Sequence, residues 1–261
     1  MRPARQDTGA ILELDRLSKS FGGLHAVSEL SFAVKTGSIT SLIGGNGAGK
    51  TTVFNLITGY LSPDSGRIRF RGHSIDGLPP HKIARHGIAR TFQELRLFSR
   101  LDALDNVVVA IPGQRGERIL ASLLGGRRLK ADNLRNEARG RELLDQLTLA
   151  NHEHSLAEQL SYGQQKLLGL GRLLAVQGEL FLLDEPTSGL SPRMIDDFCD
   201  RARRLIEAGK TILLIEHNVE IVMRLSDWVV VMHQGAKIAE GVPDEVRHNV
   251  SVMHTYLGIS S

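Results

Sequence analysis

The chain has 261 residues, of which 41% are hydrophobic and 23% charged, and its formal net charge is +3 at pH 7. This composition is typical of a soluble globular chain and excludes a disordered, collagen-like or low-complexity protein. The length favours one compact unit, with lobes. Because 32 basic side chains stand against 29 acidic ones, charge alone does not indicate an anionic partner.

Apolar stretches in the sequence are short. Those at 180–183 and 211–215 fall far below the roughly 20 residues that a membrane-spanning helix needs, so we expect no span. Residues 1–14 lack the apolar segment of a signal peptide, which predicts a cytoplasmic protein. The single cysteine, Cys199, cannot form an internal disulfide and fits a reducing compartment.

The first 93 residues alternate strand-like runs with turns and two helices. The hydrophobic pattern predicts strands and helices from residue types and spacing. The predicted strands are at 11–21, 27–34, 38–44, 67–70 and 87–93, and the predicted helices are at 51–60 and 81–86. The order that matters for function is the strand at 38–44, a glycine-rich loop, and then a helix.

From residue 94 to residue 177 the spacing becomes mostly helical. Apolar residues recur at three- and four-residue intervals at Leu134, Ala138, Leu143, Leu144 and Leu147, which predicts a helical lobe. Residues 115–141 carry eight basic and three acidic side chains. We favour a solvated helix face for this stretch, although contact with lipid headgroups or nucleic acid is an alternative.

From residue 179 the α/β alternation returns. It predicts strands at 179–186, 211–217 and 228–235 and helices between them. Ser191 and Pro192 are typical of a helix start, and Gly209 of a helix end. Such alternation predicts a mostly parallel sheet.

The segment from Gly44 to Thr52, GGNGAGKTT, fits the phosphate-binding pattern G-x-x-x-x-G-K-[ST] and lies between a predicted strand and a predicted helix. Its glycines let successive N–H groups face phosphate oxygens, and the helix N-terminus adds positive potential. We expect Lys50 to reach the outer phosphates and Thr51 to offer its hydroxyl to Mg²⁺. A simple glycine-rich turn is the alternative, but the flanking elements argue against it.

Two carboxylates, Asp184 and Glu185, end the apolar run LFLLDEP. Charged residues fit such a position when the carboxyl end of the strand opens on a site. We expect Asp184 to hold Mg²⁺ through water and Glu185 to act as general base for the water that attacks the γ-phosphate. Taken alone, the segment reads as a strand-ending turn, but the phosphate loop upstream favours the functional interpretation.

His217 ends the next apolar run, TILLIEH. In a parallel sheet it would lie at the same edge as Asp184 and Glu185, where we expect it to touch the γ-phosphate. His152 and His154 stand two residues apart and do not by themselves indicate a metal site.

The ordered set of motifs resembles the ATP-binding subunit of an ABC transporter over nearly the whole chain. The motifs that carry the resemblance are the phosphate loop, RTFQ ending at Gln93, LSYGQQ at 160–165, LLDEP at 182–186, SGLS at 188–191, and His217. The resemblance implies ATP and Mg²⁺ as cofactors and ATP hydrolysis as the activity. It also implies an α/β fold with a P-loop NTPase (RecA-like) core, an N-terminal antiparallel β subdomain and an inserted α-helical subdomain.

Further residue roles follow from the resemblance. It implies that Phe21 stacks on adenine, that Val27 adds an apolar contact, and that Gln93 links magnesium and the attacking water to the helical lobe. The phosphate-loop residues implied to bind nucleotide are Gly44, Asn46, Gly47, Ala48, Gly49, Lys50, Thr51 and Thr52. The signature residues Ser161, Gly163 and Gln164 are implied to grip the γ-phosphate of a nucleotide held by a second ABC ATPase subunit, identical or paralogous.

The resemblance also sets the expected organisation. It implies one ABC ATPase domain over 1–261, with the nucleotide-binding core and β subdomain at 1–93 and 178–240. The helical subdomain is expected at 94–177 and a C-terminal helical tail at 241–261. Within the family, FGGLHAV, LLIEHNVEIVM and HTYLG are similar to importer subunits for branched-chain amino acids.

This likeness predicts an energy-coupling ATPase at the cytoplasmic face of the inner membrane. Its partners would be permease subunits and, indirectly, an extracytoplasmic solute-binding protein, with no nucleic acid. Urea or short-chain amide import is the nearest alternative. A soluble ABC ATPase of DNA repair or translation is another, but such proteins usually carry a second cassette or a long heptad insertion.

Overall fold

A computed structural model describes residues 9–91, 97–113, 126–249 and 252. The chain divides into two compact units, with boundaries after Arg90 and after Gly178. The second unit is thus inserted in the sequence of the first. Among the described residues, no helix combines the length and the apolar character that crossing a bilayer requires.

The first unit contains two sheets. Its elements before the insertion are β1 (Ala10–Phe21), β2 (Leu24–Lys35), β3 (Ile39–Gly44), α1 (Lys50–Ile57), β4 (Ser65–Phe70), β5 (His73–Ser74), α2 (Pro80–Arg85) and β6 (Ile88–Arg90). The strands β2, β1, β4 and β5 form an antiparallel sheet in that order. This sheet confirms the predicted N-terminal antiparallel β subdomain. The side chains of β1 and β2 alternate so that one face of the sheet is buried in the core.

The second unit is helical. It contains α3 (Ala103–Val108), α4 (Gly126–Gln146), two short 3₁₀ turns at Ala150–His152 and Ala157–Gln159, and α5 (Tyr162–Ala175). Leu143, Leu144 and Leu147 are buried as predicted. Leu134 is 59% exposed and Ala138 is also exposed, so these two residues lie on the predicted helix but outside its buried face.

Among the described residues of α4, the buried ones lie in its C-terminal half, where the helix packs against α3. There Gly140 lies so close to Leu104 that a Cβ atom would stand 2.8 Å from a methyl group of that leucine. Within the described part of the basic stretch, Arg139 pairs with Glu142, and Arg141 pairs with Glu137 and Glu153. These contacts favour the solvated helix face over a lipid or nucleic-acid surface.

After the insertion the first unit resumes. Its remaining elements are β7 (Leu180–Asp184), α6 (Pro192–Glu207), β8 (Thr211–Ile215), α7 (Val219–Leu225), β9 (Trp228–His233), β10 (Ala236–Gly241) and α8 (Pro243–Arg247). Ser191 is the N-cap residue of α6, as predicted, although its hydroxyl makes no capping hydrogen bond. The C-terminal strand β10 was not predicted, because its sequence lacks an apolar run.

The second sheet has the strand order β10-β9-β3-β8-β7-β6. Its strands are parallel except for β10, which runs antiparallel to β9. All residues of β3, β7 and β8 are buried, which fits the continuous apolar runs of strands covered on both faces. The predicted mostly parallel sheet is therefore confirmed.

The register of the parallel strands decides which residues meet at their carboxyl ends. Ile215 pairs with Asp184 on one side and with Leu42 on the other. Gly44 is two residues beyond Leu42, and Glu216 and His217 directly follow Ile215. The glycine-rich loop, the carboxylates after β7 and the histidine after β8 therefore leave the sheet at one edge.

Candidate active site

The glycine-rich loop between β3 and α1 is packed against backbone on two sides. A Cβ atom at Gly44 would lie 2.2 Å from the carbonyl oxygen of Met232 in β9. Gly49 has φ +97°, and a Cβ there would lie 2.2 Å from the carbonyl oxygen of Ala26 in β2. No larger residue fits either position without backbone movement, so these two glycines let the loop curl between neighbouring strands.

Lys50 begins α1 and folds back over this loop. Its Nζ atom donates to the carbonyl oxygens of Gly44, at 2.8 Å, and of Gly45, at 2.9 Å. Burial lowers the pKa of Lys50, and the negative charges of Glu185 and Asp184 oppose that shift. The ammonium group is thus held beside the loop by oxygen acceptors that a phosphate group could replace.

The remaining loop residues differ in accessibility. The exposed ones are Gly45, Asn46, Gly47 and Thr51. Ala48 is buried, where its carbonyl oxygen accepts from the N–H of Gly235 at 3.2 Å. Thr52 is half-buried. The hydroxyl of Thr51, predicted to bind magnesium, is on an accessible residue.

Asp184 ends β7 and is 4% exposed. Its Oδ2 atom accepts a hydrogen bond from Nη2 of Arg90 at 3.1 Å, and both side chains are buried. Burial raises the pKa of Asp184, whereas Arg90 opposes the shift by charge and hydrogen bonding. Arg90 thus stabilises a carboxylate that would otherwise be costly to ionise at this depth.

Arg90 is itself held by α1. Its Nη1 atom donates to the side-chain oxygens of Asn55, at 2.7 Å, and Thr58, at 3.3 Å. The guanidinium also lies 5.3 Å from the ring centroid of Phe54, within cation–π range. Arg90 was not predicted from the sequence. In the sequence it is marked only by its charge at the end of the short apolar run GIAR.

Glu185 and His217 are brought together as predicted. The Nε2 atom of His217 lies 2.5 Å from Oε1 of Glu185. Glu185 has φ +48°, an uncommon conformation for a residue other than glycine. Its N–H donates to the carbonyl oxygen of Ile215 at 2.9 Å. The main chain after β7 is therefore tied to the end of β8.

Glu216 lies between these loops and was also missed. It is 3% exposed and accepts hydrogen bonds from Thr187 after β7 and from the N–H groups of His217 and Asn218 after β8. Its sequence signal is a carboxylate at the end of an apolar strand. Its neighbour His217 is the residue that the sequence pattern predicts to face a ligand.

The hairpin between β1 and β2 carries Phe21. This ring is 46% exposed, and Nζ of Lys19 lies 5.6 Å from its centroid. Lys19 also pairs with Asp64 at 2.6 Å. Val27 is completely buried in the hydrophobic core of the first unit, so of these two residues Phe21 presents the accessible apolar surface.

In the second unit, LSYGQ forms the start of α5. The Ser161 hydroxyl accepts from the Gln164 N–H at 3.3 Å, and the Gln164 side chain accepts from the Ser161 N–H at 2.9 Å. This reciprocal capping box fixes the first helical turn. Gly163 is half-buried. The Gln164 amide also lies 2.8 Å from Nε2 of His152, a contact that the sequence did not indicate.

Gln93, predicted to contact magnesium and the attacking water, lies outside the described residues. The described part of the chain has no group of three or more His, Cys, Asp and Glu side chains that could enclose a metal ion. Thr51 and Asp184 supply oxygen donors, which fit Mg²⁺ because it prefers oxygen ligands and is usually completed by phosphate and water.

Comparison with known proteins decides the family. The ABC transporter family model matches residues 27–188. The chain belongs to the ABC transporter family. The ABC relatives include the high-affinity branched-chain amino acid transport ATP-binding protein BraF of Pseudomonas aeruginosa, 40% identical over 249 residues, which are 95% of this chain and 98% of BraF. The corresponding LivG of Escherichia coli K12 is 38% identical over 252 residues, with 95% of this chain and 98% of LivG covered.

A solved structure of the same family agrees with the fold. The crystal structure of an ATP-binding cassette of an ABC transporter in its ADP conformation has a TM-score of 0.82 and 32% identity, covering 97% of this chain and 100% of that one. The predicted fold class is therefore confirmed: this ABC protein has a P-loop NTPase core, an antiparallel β subdomain and an inserted helical unit. As an ATP-binding cassette, it is an ATPase.

Replacing Arg90 with Met should destabilise the first unit by about 3 kcal/mol, because it leaves Asp184 buried without its charged partner. The free energy of unfolding can be measured by urea titration with fluorescence detection of Trp228, the single tryptophan.

The matched control is Arg71→Met. Arg71 pairs with Glu179 at 2.8 Å, but both side chains are well exposed, so its loss should cost less than about 1 kcal/mol. Adding Asp184→Asn to Arg90→Met should recover part of the loss. Equal destabilisation by the two arginine variants would contradict the argument from burial.

Proposed function

We propose that this chain is the ATP-hydrolysing, energy-coupling subunit of an ABC importer for branched-chain amino acids. The observation that carries hydrolysis is the 2.5 Å contact between Glu185 and His217 beside the glycine-rich loop. The substrate class is supported by the branched-chain amino acid transport relatives, which match 95% of this chain. They favour this class over urea or short-chain amides and over a non-transport ABC ATPase.

Nucleotide binding begins with the phosphate loop. The exposed turn at Gly45–Gly47 offers N–H groups to phosphate oxygens at the N-terminus of α1. The Lys50 ammonium exchanges the carbonyl oxygens of Gly44 and Gly45 for the more negative oxygens of the outer phosphates. The phosphate charge also offsets the burial that lowers the pKa of Lys50.

Thr51 and Asp184 are the residues that would hold Mg²⁺, whose charge would lower the cost of bringing the triphosphate close to two carboxylates. The role of the protein is to keep these oxygen donors in place. Arg90 does so for Asp184: it donates to one carboxylate oxygen of Asp184 and is itself held by Asn55 of α1. Gln93 is proposed to complete this group.

Hydrolysis needs a base for the attacking water. Glu185 takes up the proton of that water as its oxygen forms a bond to the γ-phosphorus and the bond to the leaving ADP oxygen breaks. His217 holds the Glu185 carboxylate through Nε2 and contacts the γ-phosphate. The tie between Glu185 and Ile215 keeps both groups at the same sheet edge.

The second half of each site comes from another cassette. Ser161 is exposed at the start of α5, a helix of 14 residues, and Gly163 and Gln164 are half-buried in its first turn. The Ser161 hydroxyl, the Gly163 backbone and Gln164 are proposed to bind a nucleotide held by a partner subunit. Two cassettes then enclose two ATP molecules, and hydrolysis of the ATP lets the two cassettes separate. The second cassette is either a copy of this chain or a paralogue.

The adenine base is proposed to stack on Phe21, with Val27 supporting the hairpin from the core. Membrane location follows from the permease partners: the cassette is peripheral, at the cytoplasmic face of the inner membrane. A solute-binding protein outside the membrane delivers the amino acid to the permeases and determines specificity with them.

Replacing Lys50 with Ala should weaken ATP binding about 10- to 100-fold, because one or two charge-assisted hydrogen bonds to phosphate are lost. Fluorescence titration with a labelled ATP analogue measures the dissociation constant. Lys35→Ala, which removes an exposed lysine of β2, is the control and should bind normally. Unchanged affinity in Lys50→Ala would disprove the phosphate-loop assignment.

Replacing Glu185 with Gln should slow turnover about 10²- to 10⁴-fold, since the amide cannot accept the proton of the attacking water. Binding of ATP should stay intact, and an ATP-bound dimer with the partner cassette should accumulate in gel filtration. Glu207→Gln alters an exposed carboxylate of α6 and serves as control. Normal turnover in Glu185→Gln would assign the base to another residue.

Replacing Phe21 with Ala should weaken ATP about tenfold while leaving tripolyphosphate binding unchanged, because only ATP has a base to stack. Competition titrations of both ligands give the comparison. Leu24→Ala is the matched control, since Leu24 is exposed on the same hairpin. An equal loss for both ligands would rule out stacking.

A further inference from the structure

The Glu216 side chain is buried at the carboxyl edge of the mixed sheet, and its two oxygens serve two different loops. Oε1 accepts from the N–H of Thr187, at 3.2 Å, and from its hydroxyl. Oε2 accepts from the N–H groups of His217, at 2.9 Å, and Asn218, at 3.4 Å. One oxygen therefore binds the loop after β7 and the other binds the loop after β8.

The chemistry of these bonds requires a carboxylate. Thr187, His217 and Asn218 present three backbone N–H groups and one hydroxyl, and an ionised carboxylate accepts from all of them. A glutamine at this position would turn an NH₂ group toward N–H donors on one of the two loops. At 3% exposure, water cannot easily compensate for the lost acceptor.

The two loops that Glu216 joins are those that carry Glu185 and His217. Thr187 is two residues after Glu185, and His217 directly follows Glu216. The same two loops are therefore connected twice: by the 2.5 Å contact between the Glu185 and His217 side chains and by the buried Glu216 carboxylate. A shift of either loop by about 1 Å could lengthen that contact beyond the usual 2.7–3.2 Å range of a hydrogen bond and weaken it.

We propose that Glu216 is a positioning residue for ATP hydrolysis, which fixes the loop of Glu185 against the loop of His217 without touching the nucleotide. This inference rests on the proposed roles of Glu185 and His217 in hydrolysis. It predicts that loss of the carboxylate lowers the rate of the chemical step and leaves ATP affinity intact, because Lys50 and the phosphate loop make no contact with Glu216 among the described hydrogen bonds.

The test compares Glu216→Gln with the wild-type full chain, both assembled with the partner cassette. We expect kcat to fall at least tenfold and the dissociation constant of a fluorescent ATP analogue to stay within twofold. Glu220→Gln, a change of an exposed carboxylate four residues along the chain, is the control and should match the wild type. Normal kcat in Glu216→Gln would overturn the proposal, as would a joint loss of kcat, affinity and melting temperature.

A second variant covers the case in which Glu216→Gln does not fold. Thr187→Val removes one hydroxyl donor and keeps the carboxylate with its bonds to His217 and Asn218, so kcat should fall about threefold to tenfold. Thr187→Ser restores the hydroxyl and should restore kcat. Equal rates in Thr187→Val and Thr187→Ser would overturn the proposal.

Amide hydrogen exchange separates this inference from the proposed function. In the nucleotide-free chain, the amide of Thr187 or those of His217 and Asn218 should exchange at least tenfold faster in Glu216→Gln than in the wild type. Unchanged exchange would overturn the positioning role whatever the activity. A wild type that binds but does not hydrolyse ATP would instead refute the proposed function, while the exchange result would still decide whether Glu216 joins the loops.

Discussion

The register of the parallel strands is the constraint on which the rest of the first unit depends. Because Ile215 pairs with both Asp184 and Leu42, the segments that follow β3, β7 and β8 leave the sheet side by side. A slip of one residue would turn the apolar side chains of a strand to the opposite face and separate these segments. Because all three strands are buried along their whole length, such a slip would also place side chains of the wrong size in a closely packed core, which is costly.

Charged groups at this edge are stabilised by hydrogen-bond partners within the protein. Asp184 has Arg90, Lys50 has two carbonyl oxygens, and Glu216 has donors from two loops. Arg90 joins β6 to Asp184 at the end of β7, and Glu216 joins the loop after β7 to the loop after β8, so the burial of these charges links neighbouring strands. The same low-dielectric surroundings that make an unpaired charge expensive also strengthen these bonds.

The sequence was sufficient for most of the order of elements, with β10 as an exception, and for placing the glycine-rich loop, the carboxylates and His217 at one sheet edge, because glycine spacing, apolar runs and charges at strand ends are local patterns. The partners that hold those groups were not predictable in this way. Arg90 and Asp184 are 94 residues apart, and His152 reaches Gln164 across a turn. The exposure of Leu134 was likewise not visible in the local pattern, since the close approach of α4 to α3 is at Gly140.

The close approach of Gly49 to Ala26 joins the phosphate loop to the antiparallel sheet through β2, the strand that also forms one arm of the Phe21 hairpin. The hairpin that carries the aromatic ring and the glycine-rich loop are consequently packed against each other within the first unit. This packing sets the distance between the Phe21 ring and the glycine-rich loop. With Phe21 stacked on the base as proposed, an analogue whose linkage between base and phosphates is longer or shorter than in ATP would have to give up either the stacking or some of the phosphate contacts.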